Sequence, residues 1–517
     1  MTERGKSYSK TTSTDRPSSI IIPATNLNSH LVNSLFIIFG GLFIFSPCLV
    51  NFFVSDDFIW IKEGVNFSFG DFFHSPEDSS YNMFRPLVSP LFFALHRAFG
   101  LSPFGYHLVN ILLHVLNGLL LYYILSHLPL GRNISALSSV IFVSHFAHEE
   151  TIFWISGICI PFSCFFYLLS ILALLKWLKN GMIWFYFLSL GSGVIAFFIR
   201  EDALTLPLIL SLLIGLKLFQ NEQTTANGYR HQIRTKTLIS LVPFFLFIVF
   251  YLKLRNLGLP DLSFASLFSL NPANLLKNAA YFLVNLTVPI RLVFDMIGYH
   301  YSAMINSALK SLGSHLAIVI IASLGMAFLI YVLLVWIRKT DRVFKALGVT
   351  FFILLFPHLL FPDYGLRFTY FPVIGFSLIG SYLIVSLLKA IAKRSKYSLK
   401  TCVCLLMIII LAFNFLILFE RNLWWRKASQ TCEETKAKAG VILSSLPAGS
   451  VIYFMELPFR THGAYIFNNG FPEAMNLFYP EYNHEIETVR GFKMPEVKET
   501  KRYFLFKYEN GEFYQVF

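Results

Sequence analysis

The sequence predicts an all-α polytopic membrane protein that carries a small C-terminal extramembrane domain of β or α+β content. Three observations lead there. Hydrophobic residues make up 55% of the 517-residue chain and charged residues only 14%, with a mean hydropathy of +0.60, well beyond the apolar content of a soluble core. Eleven apolar runs approach the ~20 residues that a spanning helix needs. Beyond the last run the composition turns polar, with short apolar and aromatic stretches suited to strands.

The runs lie at residues 31–54, 106–126, 134–147, 152–175, 183–199, 203–219, 238–254, 315–337, 346–361, 371–388 and 401–419. Ahead of them, residues 1–30 are polar and rich in Ser and Thr and are expected to form a disordered cytoplasmic tail. That tail is too long for the n-region of a signal peptide, so the first run is expected to be retained as a span. Residues 31–425 then form the transmembrane domain, and 426–517 a small extracytoplasmic domain. In the latter, Val451 to Met455 and Tyr503 to Tyr508 read as strands, and Glu509-Asn510-Gly511 before Phe513 reads as a hairpin turn.

The formal net charge of +13 is distributed in short clusters between apolar runs. It therefore reads as topology signal and excludes a nucleic-acid footprint. With Arg4, Lys6, Lys10 and Arg16 in the cytoplasm, every second connection is also cytoplasmic, and each is basic: Arg132; Lys176 and Lys179; Arg230, Arg234 and Lys236; Arg338 to Lys345; Lys389 to Lys400. Five of the six cysteines lie in apolar runs and Cys432 has no evident partner, which leaves no disulfide framework or zinc site.

The opposite connections have a different chemistry. Asp56-Asp57 and Arg85 lie on the first; His148-Glu149-Glu150 on a turn; Arg200-Glu201-Asp202 at a junction; and Asp363 and Arg367 on the turn before the tenth run. Acids, histidines and single arginines from distant parts of the chain thus collect on one membrane face. A transporter places its ionisable groups near the midplane, so the pattern favours an interfacial active site. The adjacent His148, Glu149 and Glu150 point about 100° apart on a helix and do not form a chelating face, so no metal or other cofactor is assigned. Residues 86–99 form a short apolar segment that cannot cross without inverting the charge topology, and it is placed in the interface. In the second run His107, Asn110, His114 and Asn117 share one helical face, which is expected to turn into the bundle. His107 lies near its outer end, within reach of the site.

In this order, the acid pair after the first span, Phe84-Arg85-Pro86-Leu87, His107-x-x-Asn110-x-x-x-His114, His148-x-Glu150 and Arg200-Glu201-Asp202 resemble the GT-C membrane glycosyltransferases. The set is most similar to the branch that holds the transmembrane and tetratricopeptide-repeat O-mannosyltransferases and their bacterial relatives. Leu366-Arg367-Phe368-Thr369-Tyr370-Phe371-Pro372 resembles a late segment of that branch, although Phe368-Thr369 stands where an aromatic and an aliphatic residue are more common. Arg421-Asn422 with Trp425 is a weaker match, and no tetratricopeptide pattern follows it.

The resemblance implies transfer of a sugar from a polyprenyl-phosphate carrier to a glycan, lipid or protein acceptor on the outer face, with inversion. It implies Asp56 or Asp57 as general base, with Asp56 preferred as first of the pair. Arg85, Arg200 and Arg367 would face the leaving phosphate, while Glu149, Glu150, Glu201 and Asp202 would orient those cations or bind sugar hydroxyls. The location expected is a bacterial inner membrane, with the N-terminus cytoplasmic and the site and C-terminus periplasmic. A lipid-linked oligosaccharide ligase or polymerase, and a transporter without enzymatic activity, are the alternatives.

Overall fold

A computed structural model of the protein describes residues 24–68, 70, 84–221, 238–258, 271–287, 289, 342–361, 365–392, 398–489 and 502–516. Every predicted run except 315–337, which lies outside these residues, falls on helix. The helices, in chain order, are α1 (Ala24–Phe45), α2 (Asp57–Val65), α3 (Val88–Phe99), α4 (Pro103–Ser126), α5 (Arg132–Ser144), α6 (Glu149–Phe153), α7 (Cys159–Asn180), α8 (Ile183–Ile199), α9 (Leu206–Asn221), α10 (Val242–Gly258), α11 (Pro272–Thr287), α12 (Arg342–Leu360), α13 (Tyr370–Ala392), α14 (Leu399–Ser445) and α15 (Phe471–Phe478). Five segments, Ser29–Val50, Pro103–Ser126, Ile155–Asn180, Leu366–Ala392 and Leu399–Ser445, are long and apolar enough to cross a bilayer, and Ile183–Ile199 and Phe344–Leu360 are shorter apolar helices. The chain is an integral membrane protein whose outward-facing Phe39, Phe43, Leu246, Val249, Ile409 and Leu416 present apolar surface.

Local chemistry explains the ends of these helices. Pro103 opens α4 behind an extended Ser102, where a missing N–H costs nothing. Gly181 closes α7 in the left-handed region. The Ser398 hydroxyl accepts the Thr401 amide and caps α14. The short apolar segment after Arg85 is α3, an amphipathic helix that stacks Phe92 on Trp60 of α2.

Two expectations are refined. The run 152–175 is not one helix: α6 ends at Phe153, and a short turn over Ile155–Ile158 precedes α7. The cause is the polar stripe of α4, all of it buried. Asn110 Nδ2 donates to the carbonyls of Thr151 and Ile152, both at 3.1 Å, which satisfies backbone that a continuous helix would have paired internally. Below it, His114 Nδ1 meets the Tyr370 hydroxyl at 2.8 Å, and Asn117 Nδ2 donates to Pro161 O at 2.8 Å. The boundary drawn at residue 426 falls inside α14, which runs unbroken for 47 residues. Between the runs 238–254 and 315–337 lies the amphipathic α11, whose Asn278 donates to the carbonyls of Leu359 and Phe361 at the end of α12.

The C-terminal domain contains the predicted strands. A four-stranded sheet has the order β4 (Glu485–Val489), β1 (Val451–Met455), β5 (Tyr503–Glu509), β6 (Glu512–Gln515), while β2 (Arg460–Thr461) and β3 (Ala464–Tyr465) form a separate ribbon. β1 pairs in parallel with β4 and β5, and β5–β6 is the antiparallel hairpin, with Asn510 and Gly511 both at positive φ as a two-residue turn requires. Phe454, Phe506, Phe513 and Phe471 fill its core.

Replacing Asn110 by Leu leaves the two carbonyls at the α6–α7 break unpaired. The expected loss is about 1–2 kcal/mol, read as a lower unfolding temperature of the detergent-solubilised protein. An unchanged temperature would separate the break from the polar stripe.

Candidate active site

The acid pair sits where the chain leaves α1. After Phe45 a short turn over Ser46–Val50, with Pro47 near its start, ends the span, and Ser55 adopts φ 51°, an uncommon conformation for a residue with a side chain. This sharp turn sends the two carboxylates in different directions.

Asp57 is 1% exposed and tied on both oxygens. Oδ1 accepts from the Ser156 amide at 2.7 Å and the Ser156 hydroxyl at 2.5 Å, and Oδ2 accepts from the Val54 amide at 2.9 Å. Burial pushes its carboxyl up to about 7, against the hydrogen bonds from Ser156 and Val54, with the charge of Asp56 adding to the rise. Asp57 thus bolts the first loop to the break between α6 and α7. Asp56 is 7% exposed and accepts both its hydrogen bonds on Oδ1, from Ser55 Oγ and from Asn469 Nδ2, each at 3.1 Å. Its Oδ2 has no hydrogen bond among the described residues.

Each of the other predicted acids faces an arginine. Glu201 takes both Nε and Nη2 of Arg85, the latter at 2.9 Å. Asp202 pairs with Arg200 and, at 3.0 Å, with His358 Nε2. Burial raises the Asp202 carboxyl, but Arg200 and His358 outweigh it and hold it well below the usual carboxylate range. Glu149 and Glu150 diverge, as consecutive helical residues must. Glu149 meets Arg421 Nε at 2.7 Å, and Glu150 meets Arg367 Nη1 at 2.5 Å while also accepting the Arg367 amide. Gly365 allows this last approach, since a Cβ there would lie 3.1 Å from Arg367 Nη1 and 3.3 Å from Glu150 Oε2. No basic partner stands within ion-pair distance of Asp56 or Asp57 among the described residues.

The arginines differ in access. The side chain of Arg367 is 26% exposed, against 4% for Arg421 and 5% for Arg200. Its guanidinium lies over Phe368, 4.8 Å from the ring centre, and 5.6 Å from the ring centre of Trp154. The two halves of the cluster are joined by a single stretch of chain. Tyr465 donates its hydroxyl to Glu150 at 3.3 Å and accepts from Arg367 at 3.4 Å, and four residues on, Asn469 holds Asp56. Four residues span at most about 14 Å.

Asp56, Asp57, Arg85, Glu149, Glu150, Arg200, Glu201, Asp202 and Arg367 therefore gather at one end of the bundle. His148 and His107 do not join them. His148 turns inward, its Nε2 bonded to Phe142 O at 2.9 Å and its ring against Tyr370, and burial followed by His114 and His145 holds it well below its usual range. His107 is buried against the backbone of Asn51. Asp363 lies outside the described residues. Among those residues, no group of three or more His, Cys, Asp or Glu is placed to hold a metal. The reading of the sequence did not find Ser156, His358, Tyr465 or Asn469. His358 offered a signal, an ionisable residue inside an apolar run, but Tyr465 and Asn469 gain their place only when the C-terminal domain folds back on the bundle.

The arrangement defines a polytopic helical membrane protein with an interfacial carboxylate–arginine centre under a small extramembrane domain. No family model matches the chain. It is similar to Protein O-mannosyl-transferase Tmtc1 of Drosophila melanogaster, with 27% identity over 207 residues, 38% of this chain and 24% of that protein. It is also similar to human Protein O-mannosyl-transferase TMTC2, with 34% identity over 123 residues, 23% of this chain and 14% of the relative. The chain thus spans a quarter or less of the length of these curated relatives, and the resemblance read from the motifs is borne out by them. Among solved structures it is similar to the oligosaccharyltransferase AglB of Archaeoglobus fulgidus, in complex with an inhibitory peptide and a dolichol-phosphate, at 10% identity and TM-score 0.44, covering 90% of this chain and 65% of that one. It is also similar to ArnT of Cupriavidus metallidurans bound to undecaprenyl phosphate, at 9% identity and TM-score 0.45, covering 91% and 87%.

Because the folded protein holds the Asp57 proton to about pH 7, whereas an unfolded chain releases it near 4, this residue's contribution to stability is full below pH 4 and is lost as pH rises toward 7. Asp57→Asn is expected to remove that slope from the unfolding temperature measured between pH 4 and 7, at the cost of part of the Ser156–Val54 anchorage. Arg421→Leu strands Glu149 in a buried site and is expected to cost about 3–5 kcal/mol, seen as a large fall in the same unfolding temperature.

Proposed function

We propose that the protein is a membrane glycosyltransferase that moves a sugar from a polyprenyl-phosphate carrier to a hydroxyl acceptor on the outer face of the membrane. The observation that carries the reading is the contrast within the site: four acids are paired with arginines, whereas Asp56 has a carboxylate oxygen without a hydrogen bond among the described residues, and the loop that holds it also contacts the partly exposed Arg367 through Tyr465. The similarity to proteins named O-mannosyl-transferases supports the reaction class. The ordered basic connections support the placement of the site on the outer face.

In the reaction, Asp56 Oδ2 accepts the proton of the acceptor hydroxyl as its oxygen attacks the anomeric carbon. The bond from that carbon to the phosphate oxygen breaks, and its electron pair leaves with the polyprenyl phosphate, inverting the centre. The proton on Asp56 then passes to water or to the departing phosphate. A neutral alcohol is a poor nucleophile, so a positioned carboxylate is worth about 10²–10⁴-fold. Charge grows on the phosphate as the bond breaks, and Arg367, the most exposed of the four acid-paired arginines, is the cation assigned to meet it. Arg85 and Arg200, held by Glu201 and Asp202, shape the electrostatic surroundings and keep neighbouring segments in place. Asp57 has an anchoring role and does not exchange a proton with the acceptor.

Transfer of radiolabelled sugar from polyprenyl-phosphate mannose and polyprenyl-phosphate glucose into endogenous acceptors of membranes tests this reading. Asp56→Asn is expected to lower kcat at least about 100-fold with the unfolding temperature unchanged. Arg367→Met is expected to lower it by about 10²–10³. Full transfer by the Asp56 variant would sink the assignment of the base, and absence of transfer from either donor in wild type would favour transport or a structural role.

A further inference from the structure

The C-terminal domain touches the acid pair through one loop. Ile466 O accepts the Ser55 amide at 2.7 Å, the Asn469 amide donates to Ser55 Oγ at 3.4 Å, and Asn469 Nδ2 donates to Asp56 Oδ1 at 3.1 Å. Gly470 closes this contact at φ 82°. A Cβ there would stand 2.3 Å from the Ser55 carbonyl oxygen, and that oxygen is rigid backbone. Phe467 stacks on Phe58, one residue past the pair, and Lys62 of α2 lies 3.9 Å from Glu473 of α15. At the other end of the loop Tyr465 bridges Glu150 and Arg367. A domain that merely rested on the bundle would need none of these bonds to fall on Asp56 and on Arg367.

We propose that the C-terminal domain is a working wall of the catalytic centre and that Asn469 is a positioning residue for Asp56. The inference rests on Asp56 acting as the base. The side chains of residues 466–470 include no ionisable group, so the loop gives the carboxylate a neutral donor. Fixing Oδ1 with Asn469 and Ser55 leaves Oδ2 as the basic oxygen and sets its direction. The titratable groups at this turn are Asp57, tied by Ser156 and Val54, and the buried Cys432 thiol of α14 beside Ser55. Ser55, whose amide makes this contact, is also the residue at φ 51°, a conformation uncommon for a residue with a side chain.

The test uses the full chain in membranes, the radiolabelled polyprenyl-phosphate sugar transferred by wild type, and Asn469→Asp and Asn469→Leu beside Asp56→Asn. Asn469→Asp sets a second carboxylate against the first. It is expected to move the acid limb of the kcat profile about one pH unit or more upward, with activity recovering at high pH and KM for the donor unchanged. Asn469→Leu is expected to lose kcat about tenfold or more without that recovery. Gly470→Ala, which pushes the loop off Ser55, is expected to lower kcat as well. If Asp56→Asn is inactive while both Asn469 variants keep the wild-type profile and kcat, the positioning role is wrong and the catalytic reading stands. Loss of activity in both variants in proportion to a fall in unfolding temperature, with no movement of the acid limb, also overturns it, because a purely structural clamp would behave so. An active Asp56→Asn variant removes the base and this proposal with it.

Discussion

A charge beside a bilayer must be paired, solvated or neutralised, and the organisation of this protein's interfacial end follows from that constraint. Glu149, Glu150, Glu201 and Asp202 are each matched to an arginine drawn from a different part of the chain. Three of these pairs are also cross-links, the Arg200–Asp202 pair being local to one turn. Arg421 ties α14 to α6, Arg85 ties the entry to α3 to the turn after α8, and Arg367 ties the entry to α13 to α6. Electrostatic necessity thus assembles the segments that form the site. Asp57 follows another route, protonation aided by burial, and Asp56 follows neither.

The helices beneath are built to hold this arrangement. The polar stripe of α4 satisfies backbone where α6 ends, and the interrupted chain can then present Glu149 and Glu150 on one side of the break and Ser156 on the other. A continuous span from 152 would have carried those groups around a helical cylinder with no free amide for Asp57. The histidines of the same region belong to this scaffold. His114 and His148 pack with Tyr370 inside the bundle, away from the charged end.

Much of this was legible in the sequence. Length and apolarity gave the helices, charge asymmetry separated the two faces, and Asp56-Asp57, Arg85, Glu150, Glu201 and Arg367 could be grouped because they lie in alternate connections. The Asn510-Gly511 turn announced its hairpin. Partner choice was not legible: nothing local tells Glu149 to take Arg421, or Asp202 to take His358, because each pairing depends on how distant helices are packed. His107 and His148 were misleading for a related reason, since position near a helix end does not reveal which way a ring turns. The deepest omission was the loop with Tyr465 and Asn469. Its residues carry no charge pattern, and their meaning depends on tertiary folding of a domain whose composition reads as soluble.

The unbroken α14 gives the protein a mechanical character. At 1.5 Å per residue its 47 residues form a rod about 70 Å long, more than twice the ~30 Å of a hydrocarbon core. One end packs among the spanning helices and the other against the C-terminal domain, so a single rod is shared by both. The loop that carries Tyr465 and Asn469 packs beside Trp424 and Trp425, close to the middle of the rod. The chain therefore has one rigid element common to the bundle and to the domain that covers the acid pair.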